Sequence, residues 1–166
     1  THAYANAFFG HVAGEHVTTG YSNTLIGTGA GEEGSGSAFF ENVYVGSAAG
    51  GYQRGGKRNV GVGRAAFGGA SASDNQGDLN IAVGYYALNV ATSDNNVAVG
   101  SSALRSLTTG TENVAIGNNA LDSVTTAGYN TVIGYHAGKG ASNSNYTYNV
   151  LIGRNAGKKS SGDGGD

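Results

Sequence analysis

The sequence predicts an all-β protein, a parallel β-solenoid (β-roll) of about nine coils. Three observations predict this fold. A nine-residue motif occurs nine times, at intervals of 16 to 21 residues, and covers nearly the whole chain. Its β-branched residues recur with a period of two, which is the period of a strand and not of a helix. Glycine makes up 31 of the 166 residues and has a fixed place in every copy, where it would destabilise a helix.

The motif is Asn, two less restricted residues, a β-branched or large apolar residue, Gly, two variable residues, Ala, and then Gly, Leu or Phe. We number these places as positions one to nine. The copies start at Asn6, Asn23, Asn42, Asn59, Asn80, Asn96, Asn113, Asn130 and Asn149. The most regular copies have as their structural repeat residues Asn96, Val99, Gly100 and Ala103, and Asn113, Ile116, Gly117 and Ala120.

Each motif position suggests a structural role. Val114 and Ile116, at positions two and four, are two residues apart and share one face of a strand, and we predict that this face fills the core. The glycine at position five suits a turn or a close backbone approach. The alanine at position eight suits a small inward site. The asparagines, stacked from coil to coil, are predicted to form a ladder of amide hydrogen bonds. Eight steps of about 4.8 Å give a body about 40 Å long.

Composition and motifs argue against several classes of function. The net charge of −2 gives no field that favours nucleic acid or an anionic membrane. No apolar run approaches the roughly 18 residues of a membrane helix. Cysteine is absent, and the four histidines, which are His2, His11, His16 and His136, lack metal-ligand spacing. No nucleophile motif, P-loop or acid/base pair is present. We therefore expect that the protein is not an enzyme, that it binds no cofactor, metal or nucleic acid, and that it does not insert into a membrane.

The repeats predict one solenoid domain over residues 1–157, followed by a tail or linker at 158–166. Insertions at 32–38, 68–79 and 139–148 interrupt the regular spacing. In repeat proteins such insertions form loops on one face, often the binding face, although surface loops are also tolerated without a function.

The copies at 96–104 (NVAVGSSAL) and 113–121 (NVAIGNNAL) resemble the head repeat of trimeric autotransporter adhesins, of the form NSVAIG, two residues and Ser. They are even more similar to repeats of bacteriophage tail fibres, in which NxAIGxxAL segments alternate with Ser-Thr-Thr-Gly stretches, as at 104–110 and 121–128. The resemblance covers residues 6–157. It implies a left-handed parallel β-roll, three chains side by side, and an extracellular location on a virion tail fibre or a cell surface.

Candidate binding residues are those that the motif does not fix. The two variable positions after the glycine are expected to form columns on one edge, with Tyr85, Tyr86, Tyr135 and His136 available to stack on sugar rings. Tyr146 and Tyr148 mark the third insertion as a candidate binding loop. Arg54, Lys57, Arg58 and Arg64 form a basic stretch that suits a sulfated or phosphorylated glycan. The alternatives are exposed turn residues, contacts between chains, and a solvated edge that opposes strand aggregation.

The leading hypothesis is a structural and receptor-binding segment of a trimeric fibre that attaches to a cell-surface glycan or protein. The first alternative is an extracellular filament subunit that assembles end to end, because no polar capping coil is apparent. The second is an ice-binding solenoid, suggested by Thr18-Thr19, Thr108-Thr109 and Thr125-Thr126.

Overall fold

The computed structural model describes residues 3–33, 39–53, 55–69, 77–90, 92–140 and 146–158, and these form a parallel β-solenoid of about seven turns with no helix. No helix in this part of the chain is long and apolar enough to span a membrane. The strands are β1 (Ala7–Phe9), β2 (Thr24–Ile26), β3 (Val43–Val45), β4 (Val60–Val62), β5 (Ile81–Val83), β6 (Val97–Val99), β7 (Val114–Ile116), β8 (Ala127–Gly128), β9 (Thr131–Ile133), β10 (Tyr146–Thr147) and β11 (Val150–Ile152).

One sheet contains nine strands, one from each motif copy, in the order β1-β2-β3-β4-β5-β6-β7-β9-β11. All neighbours are parallel, and each pairs the same motif positions, as in Val97↔Val114 and Val99↔Ile116. The remaining strands, β8 and β10, form a two-stranded parallel sheet at the corner that precedes the motif. The predicted all-β parallel solenoid is therefore confirmed, with about seven turns where about nine coils were predicted. Coils are numbered below by the motif copy that each contains. The association of three chains stays a prediction.

The motif asparagines form the predicted ladder. At each of the eight steps the Oδ1 atom accepts the backbone N–H of the next asparagine at 2.8–3.3 Å. The Nδ2 atom donates to a backbone carbonyl at the next corner, at 2.8–3.1 Å. These side chains are largely buried, so the ladder satisfies backbone groups that would otherwise lack partners at the turn.

The position-five glycine meets two requirements at once. Its φ lies between 121° and 146° in all nine copies, a region that L side chains rarely adopt. A Cβ atom on any of the first eight would also lie within 2.7 Å of the next glycine's carbonyl group. The coil bends further at three places with left-handed φ of 46–65°, namely the residue before the asparagine and positions seven and nine. The expected turn and close approach are both confirmed.

The prediction that Val114 and Ile116 fill the core is wrong. The residue between them, Ala115, is fully buried, whereas Ile116 is 38% exposed. The same holds in the neighbouring coils, where Ala82 and Ala98 are buried and Val83 is exposed. The alternation in the sequence shows only that positions two and four share a face. The bends on either side of the strand turn position three inward.

Positions three and nine together fill the interior by a strict exchange of volume. Where position nine is glycine, position three is large, in the pairs Phe8/Gly14, Leu25/Gly31, Tyr44/Gly50, Val132/Gly138 and Leu151/Gly157. Where position nine is large, position three is small, in the pairs Gly61/Phe67, Ala82/Leu88, Ala98/Leu104 and Ala115/Leu121. A Cβ on Gly31 would lie 2.7 Å from Leu25, so one coil has room for only one large side chain of the pair.

The inward prediction for position eight is confirmed. The position-eight alanines are fully buried in coils two to eight, as expected for a small inward site. Leu107 and Val124, from the second half of their coils, are also buried in this core, and Val17 packs against it.

Candidate functional site

The most extensive candidate surface is the outer face of the nine-stranded sheet, which we call the outer sheet face. It consists of the side chains at motif positions two and four. Position four is large and apolar in every coil, with the column Phe9, Ile26, Val45, Val62, Val83, Val99, Ile116, Ile133 and Ile152. Position two is Val or Ile in six coils, with Ala7, Thr24 and Thr131 as the others. Exposed fractions run from 36% at Val83 to 77% at Phe9 among the residues of this face that are exposed.

This face is a continuous apolar strip. Eight strand spacings of about 4.8 Å make it about 40 Å long, and the two columns make it about 10 Å wide, so its area is about 400 Å². An apolar patch of this size matches the largest patch on a typical monomeric protein, which is about 300–600 Å² and is often functional. No charged residue stands at either position in any coil. The arrangement is suited to contact with another apolar surface.

The variable positions six and seven lie beside this face, along the edge that follows the position-five glycines. Backbone hydrogen bonds hold them in columns, since Tyr86 N donates to Arg64 O at 3.1 Å and Ser102 N donates to Tyr85 O at 2.8 Å. His136 N likewise donates to Asn118 O at 3.0 Å. The expected columns on one edge are therefore confirmed.

Tyr85, Tyr86 and Arg64 form one cluster on this edge. The two tyrosine rings are perpendicular at a centroid distance of 4.5 Å. The Arg64 guanidinium carbon lies 5.6 Å from the Tyr85 ring centre and 5.8 Å from the Tyr86 ring centre, and Arg64 Nη1 donates to the Tyr85 hydroxyl at 3.1 Å. Cation–π contacts of this kind orient the arginine and leave its other N–H groups available.

A shallow groove runs past Tyr86. It combines a cavity of about 530 Å³ with a smaller one of about 230 Å³, and both are lined by Tyr86 and Asn89. The larger cavity ends at Arg105, and the smaller one is bordered by Tyr52. The other lining residues are Ser47, Ala48, Arg64, Ala65, Gly68, Gly69, Tyr85, Val90, Ser102 and Ser106. From Ser47 to Arg105 the groove crosses three coil steps, or about 14 Å.

Glycines open the groove and polar groups line it. Gly68 and Gly69 have no side chain to fill the smaller cavity. Asn89, which is largely buried, donates to Ala65 O at 2.9 Å and is thereby held in place at the shared wall. Aromatic rings beside hydroxyl, amide and guanidinium groups provide both stacking surfaces and hydrogen bonds for a polar elongated ligand.

Tyr135 and His136 form a second cluster on the same edge, near Arg154. The two rings stack at a centroid distance of 3.9 Å, and Arg154 lies 5.7 Å from the Tyr135 ring centre. Partial desolvation, followed by the nearby cations Lys139 and Lys158, lowers the pKa of His136 below its ordinary value. The imidazole is therefore neutral at neutral pH and its Nε2 atom lies 3.3 Å from Asn119 Nδ2. The four predicted ring residues thus form two separate clusters.

The tyrosines of the third insertion differ from each other. The Tyr146 hydroxyl donates to Gly157 O at 2.6 Å and the side chain packs against the core, so it closes the last coil. Burial raises the pKa of this hydroxyl. Tyr148 is 76% exposed and stacks on Tyr129 at 4.8 Å. Of this pair from the sequence, only Tyr148 presents its ring to solvent.

The structure does not bring the described members of the basic stretch together. Lys57 and Arg58 precede strand β4, where Lys57 Nζ lies 3.2 Å from Asp78 and Arg58 Nε lies 2.7 Å from Glu41. Arg64 follows the strand and joins the tyrosine cluster instead. Arg54 lies outside the described residues, as do 34–38, 70–76 and 141–145 of the three insertions and 159–166 of the tail. The proposed glycan role of this stretch stays a prediction.

Two surface features were missed from the sequence. One is the outer sheet face itself, which was assigned to the core. The other is an aromatic column two residues before the motif asparagine, where Tyr4, Tyr21 and Phe40 stack at 5.1 and 4.8 Å. The sequence could have revealed this column, because each of these aromatic residues stands two positions before a motif asparagine, Asn6, Asn23 or Asn42.

Among the described residues no group of three or more His, Asp or Glu side chains is placed to hold a metal ion. Comparison of the chain with family models, curated proteins and solved structures finds no match.

Proposed function

We propose that this chain is a structural and receptor-binding segment of an extracellular trimeric fibre, on a virion tail or a cell surface. The observation that carries the proposal is the outer sheet face, where nine coils present an uncharged apolar strip about 40 Å long. The partner that fits best is two further copies of the same chain. Three such strips meeting around one axis bury each other along the whole rod, and the resemblance to trimeric fibre repeats favours three over two.

The stabilisation from such contact is substantial. Burying the strip of about 400 Å² on each chain removes apolar surface worth roughly 25 cal/mol per Å², or about 10 kcal/mol per chain before the costs of association. The coil edges beside the strip add to the contact. A rod built in this way needs no disulfide, and the chain has no cysteine.

Sedimentation of the purified chain tests the trimer. We expect the mass of three chains, and we expect the double variant Val99→Lys with Ile116→Lys to sediment as a folded monomer with an unchanged circular dichroism spectrum. The double variant Thr18→Lys with Thr109→Lys, which adds the same two charges at exposed residues outside the strands, is the matched control and should remain trimeric. A wild-type chain that sediments as a stable monomer at micromolar concentration would overturn the trimer.

The receptor site that we propose is the groove beside Tyr86, and the ligand is a cell-surface glycan. Tyr85 and Tyr86 offer faces for sugar rings, and Arg64 and Asn89 offer polar contacts. In a trimer the groove occurs three times, so weak individual sites gain affinity by multivalency.

Binding to a panel of immobilised cell-surface glycans tests the site. Tyr86→Asn removes the ring while keeping a residue type that tolerates the observed φ of 53°. Tyr129→Asn is the matched control, because Tyr129 is a tyrosine with a similar φ of 60° and a solvent-exposed ring, but it lies on the edge before the strand. We expect the first variant to lose binding and the second to retain it. Equal loss or equal retention would remove the groove from the proposal without affecting the trimer.

The filament alternative is favoured by one observation, the open edges of β1 and β11, each of which has a single neighbour in the sheet. Long fibres in electron micrographs of the purified chain would support it over short rods. The ice-binding alternative has less support. The outer sheet face has only Thr24 and Thr131 as threonines, and the hydroxyls of Thr92 and Thr108 donate to carbonyls of the next coil. Thermal hysteresis measured in a solution of the chain would support the ice-binding alternative.

A further inference from the structure

Two pairs of tyrosines stack face to face between successive coils, and the binding proposal uses neither pair. Tyr129 and Tyr148 have ring centroids 4.8 Å apart and planes at 12°. Tyr4 and Tyr21 have centroids 5.1 Å apart and planes at 6°. Tyr4, Tyr129 and Tyr148 are all exposed, so a reagent in solution reaches at least one ring of each pair.

The parallel register of the coils aligns the rings within each pair. Tyr129 and Tyr148 both stand immediately before a motif asparagine, and their φ values are 60° and 59°. Tyr148 N donates to Gly128 O at 3.1 Å, which holds the two backbones one coil step apart. Because both side chains start from the same backbone conformation, the rings extend in the same direction. The ring carbons beside the two hydroxyls therefore face one another.

Other aromatic pairs in the described chain lack this arrangement. Tyr85 and Tyr86 are close, at 4.5 Å, but their planes are perpendicular at 82°. Tyr21 and Phe40 stack at 4.8 Å, but phenylalanine has no phenol. The chain therefore contains its own controls for geometry and for chemistry.

We propose that the Tyr129–Tyr148 stack, and in the same way the Tyr4–Tyr21 stack, is a site of oxidative cross-linking to dityrosine by a haem peroxidase with hydrogen peroxide. Each phenol gives up one electron and one proton to the oxidant and becomes a phenoxyl radical. The two radicals couple through the ring carbons beside the oxygens, forming one C–C bond. The hydrogens on those carbons move to the oxygens as protons, which restores both phenols. The peroxide takes up two electrons and two protons and becomes two water molecules.

The product joins neighbouring coils in a chain that has no cysteine for disulfides. A Tyr129–Tyr148 link connects the eighth coil to the ninth, and a Tyr4–Tyr21 link connects the first to the second. By subtraction, the Tyr129–Tyr148 link closes a loop of 19 residues and the Tyr4–Tyr21 link closes a loop of 17 residues. Links that close loops of this size lower the unfolding equilibrium constant by on the order of a hundredfold.

The experiment treats the purified full chain with a haem peroxidase and hydrogen peroxide. We expect dityrosine fluorescence, a loss of two hydrogen atoms per link in the intact single-chain mass, and proteolytic fragments that join Tyr129 to Tyr148. The midpoint of urea unfolding should rise after treatment. The yield within one chain should not depend on protein concentration.

Tyr148→Phe is the key variant, because it keeps the ring stack and removes one phenol. It should abolish the Tyr129 link and leave the Tyr4–Tyr21 link intact. Tyr135→Phe is the matched control and should change neither. Links found only between chains, links mapped chiefly to the perpendicular pair Tyr85–Tyr86, or an unchanged Tyr129 link in Tyr148→Phe would each overturn the proposal. The last two outcomes do not depend on whether the chain is a trimer. The first is tested in the double variant Val99→Lys with Ile116→Lys, in which the chains are expected to be separate.

Discussion

The exchange of volume between positions three and nine predicts a specific compensation between two substitutions. In the seventh coil Ala115 faces Leu121, whereas in the second coil Leu25 faces Gly31, and all four are fully buried or nearly so. Ala115→Leu alone places a second large side chain in a filled interior. Leu121→Gly alone leaves a cavity. Together they give the seventh coil the side chains of the second.

The magnitudes follow from the burial of both residues. Overpacking by Ala115→Leu costs about 2 kcal/mol of unfolding free energy. Loss of the buried Leu121 side chain costs about 4 kcal/mol, reduced by about 1 kcal/mol because glycine relieves the left-handed backbone at this residue, whose φ is 50°. The single changes therefore sum to about 5 kcal/mol. We expect the double variant to lose only about 1–2 kcal/mol, a coupling of about 3 kcal/mol.

Urea unfolding followed by circular dichroism measures this cycle. Self-association makes stability depend on concentration, so all variants should be compared in the background of the two lysine substitutions on the outer sheet face. Ala82→Leu combined with Leu121→Gly is the control, because these residues belong to coils that do not touch, and their costs should add. Additive costs for Ala115→Leu and Leu121→Gly would refute the reasoning.

Three further changes test the coil-to-coil contacts. Gly117→Ala forces a Cβ against the Gly134 carbonyl, whereas the Cβ of Gly153→Ala meets nothing within 4 Å. Backbone strain of about 1–3 kcal/mol is common to both variants, so in urea unfolding Gly117→Ala should lower the stability more, and equal losses would contradict the contact. Asn113→Ala breaks the ladder and leaves buried groups unpaired, so we expect a loss of about 3 kcal/mol or more, and a loss under about 1 kcal/mol would argue against the ladder. Tyr44→Phe removes a buried hydroxyl that has no hydrogen-bond partner among the described residues. We expect the free energy of unfolding to stay level or rise by about 1 kcal/mol, and a clear loss of stability on thermal unfolding would contradict this.

The Tyr44 case shows how a coil accommodates an unusual residue. Its ring occupies space that the absent side chains of Gly50 and Gly61 leave open. Burial raises the pKa of its hydroxyl, and the nearby Asn59 amide lowers it by a smaller amount. That amide donates its hydrogen bond to Gly77 O, at 2.8 Å. The phenol is therefore neutral at any ordinary pH.

Much of the fold could be predicted from the sequence because each coil repeats the same local requirement. The nine asparagines, the nine position-five glycines and the alanines at position eight all have the predicted roles, and each role depends on the residue and on its equivalent one coil away. The fixed spacing supplies that equivalent residue directly. The columns of variable residues could be predicted in the same way, because the fixed spacing places each one beside its equivalent in the next coil.

The candidate site was less predictable because it depends on which side of each bend a residue lies. Arg58 and Arg64 are six positions apart in the sequence, yet strand β4 separates them, and one pairs with Glu41 while the other contacts Tyr85. Tyr85 and Tyr135 were expected in one stripe, but they belong to coils with different neighbours and form separate clusters with Arg64 and Arg154.

The sequence by itself determined that the chain is a parallel solenoid, where each coil bends and which residues stack on which. Only the tertiary structure decided which face of the strand is inside. A period of two places Val114 and Ile116 on the same side and Ala115 on the other, but it is equally satisfied by either orientation. The left-handed bends on either side of the strand decide between them, because they turn position three inward. The narrow interior then sets the size of that residue. A coil that contains Leu121 has room only for alanine opposite it, whereas a coil with Gly31 at that place admits Leu25. Positions two and four lie outside in both cases, on the outer sheet face.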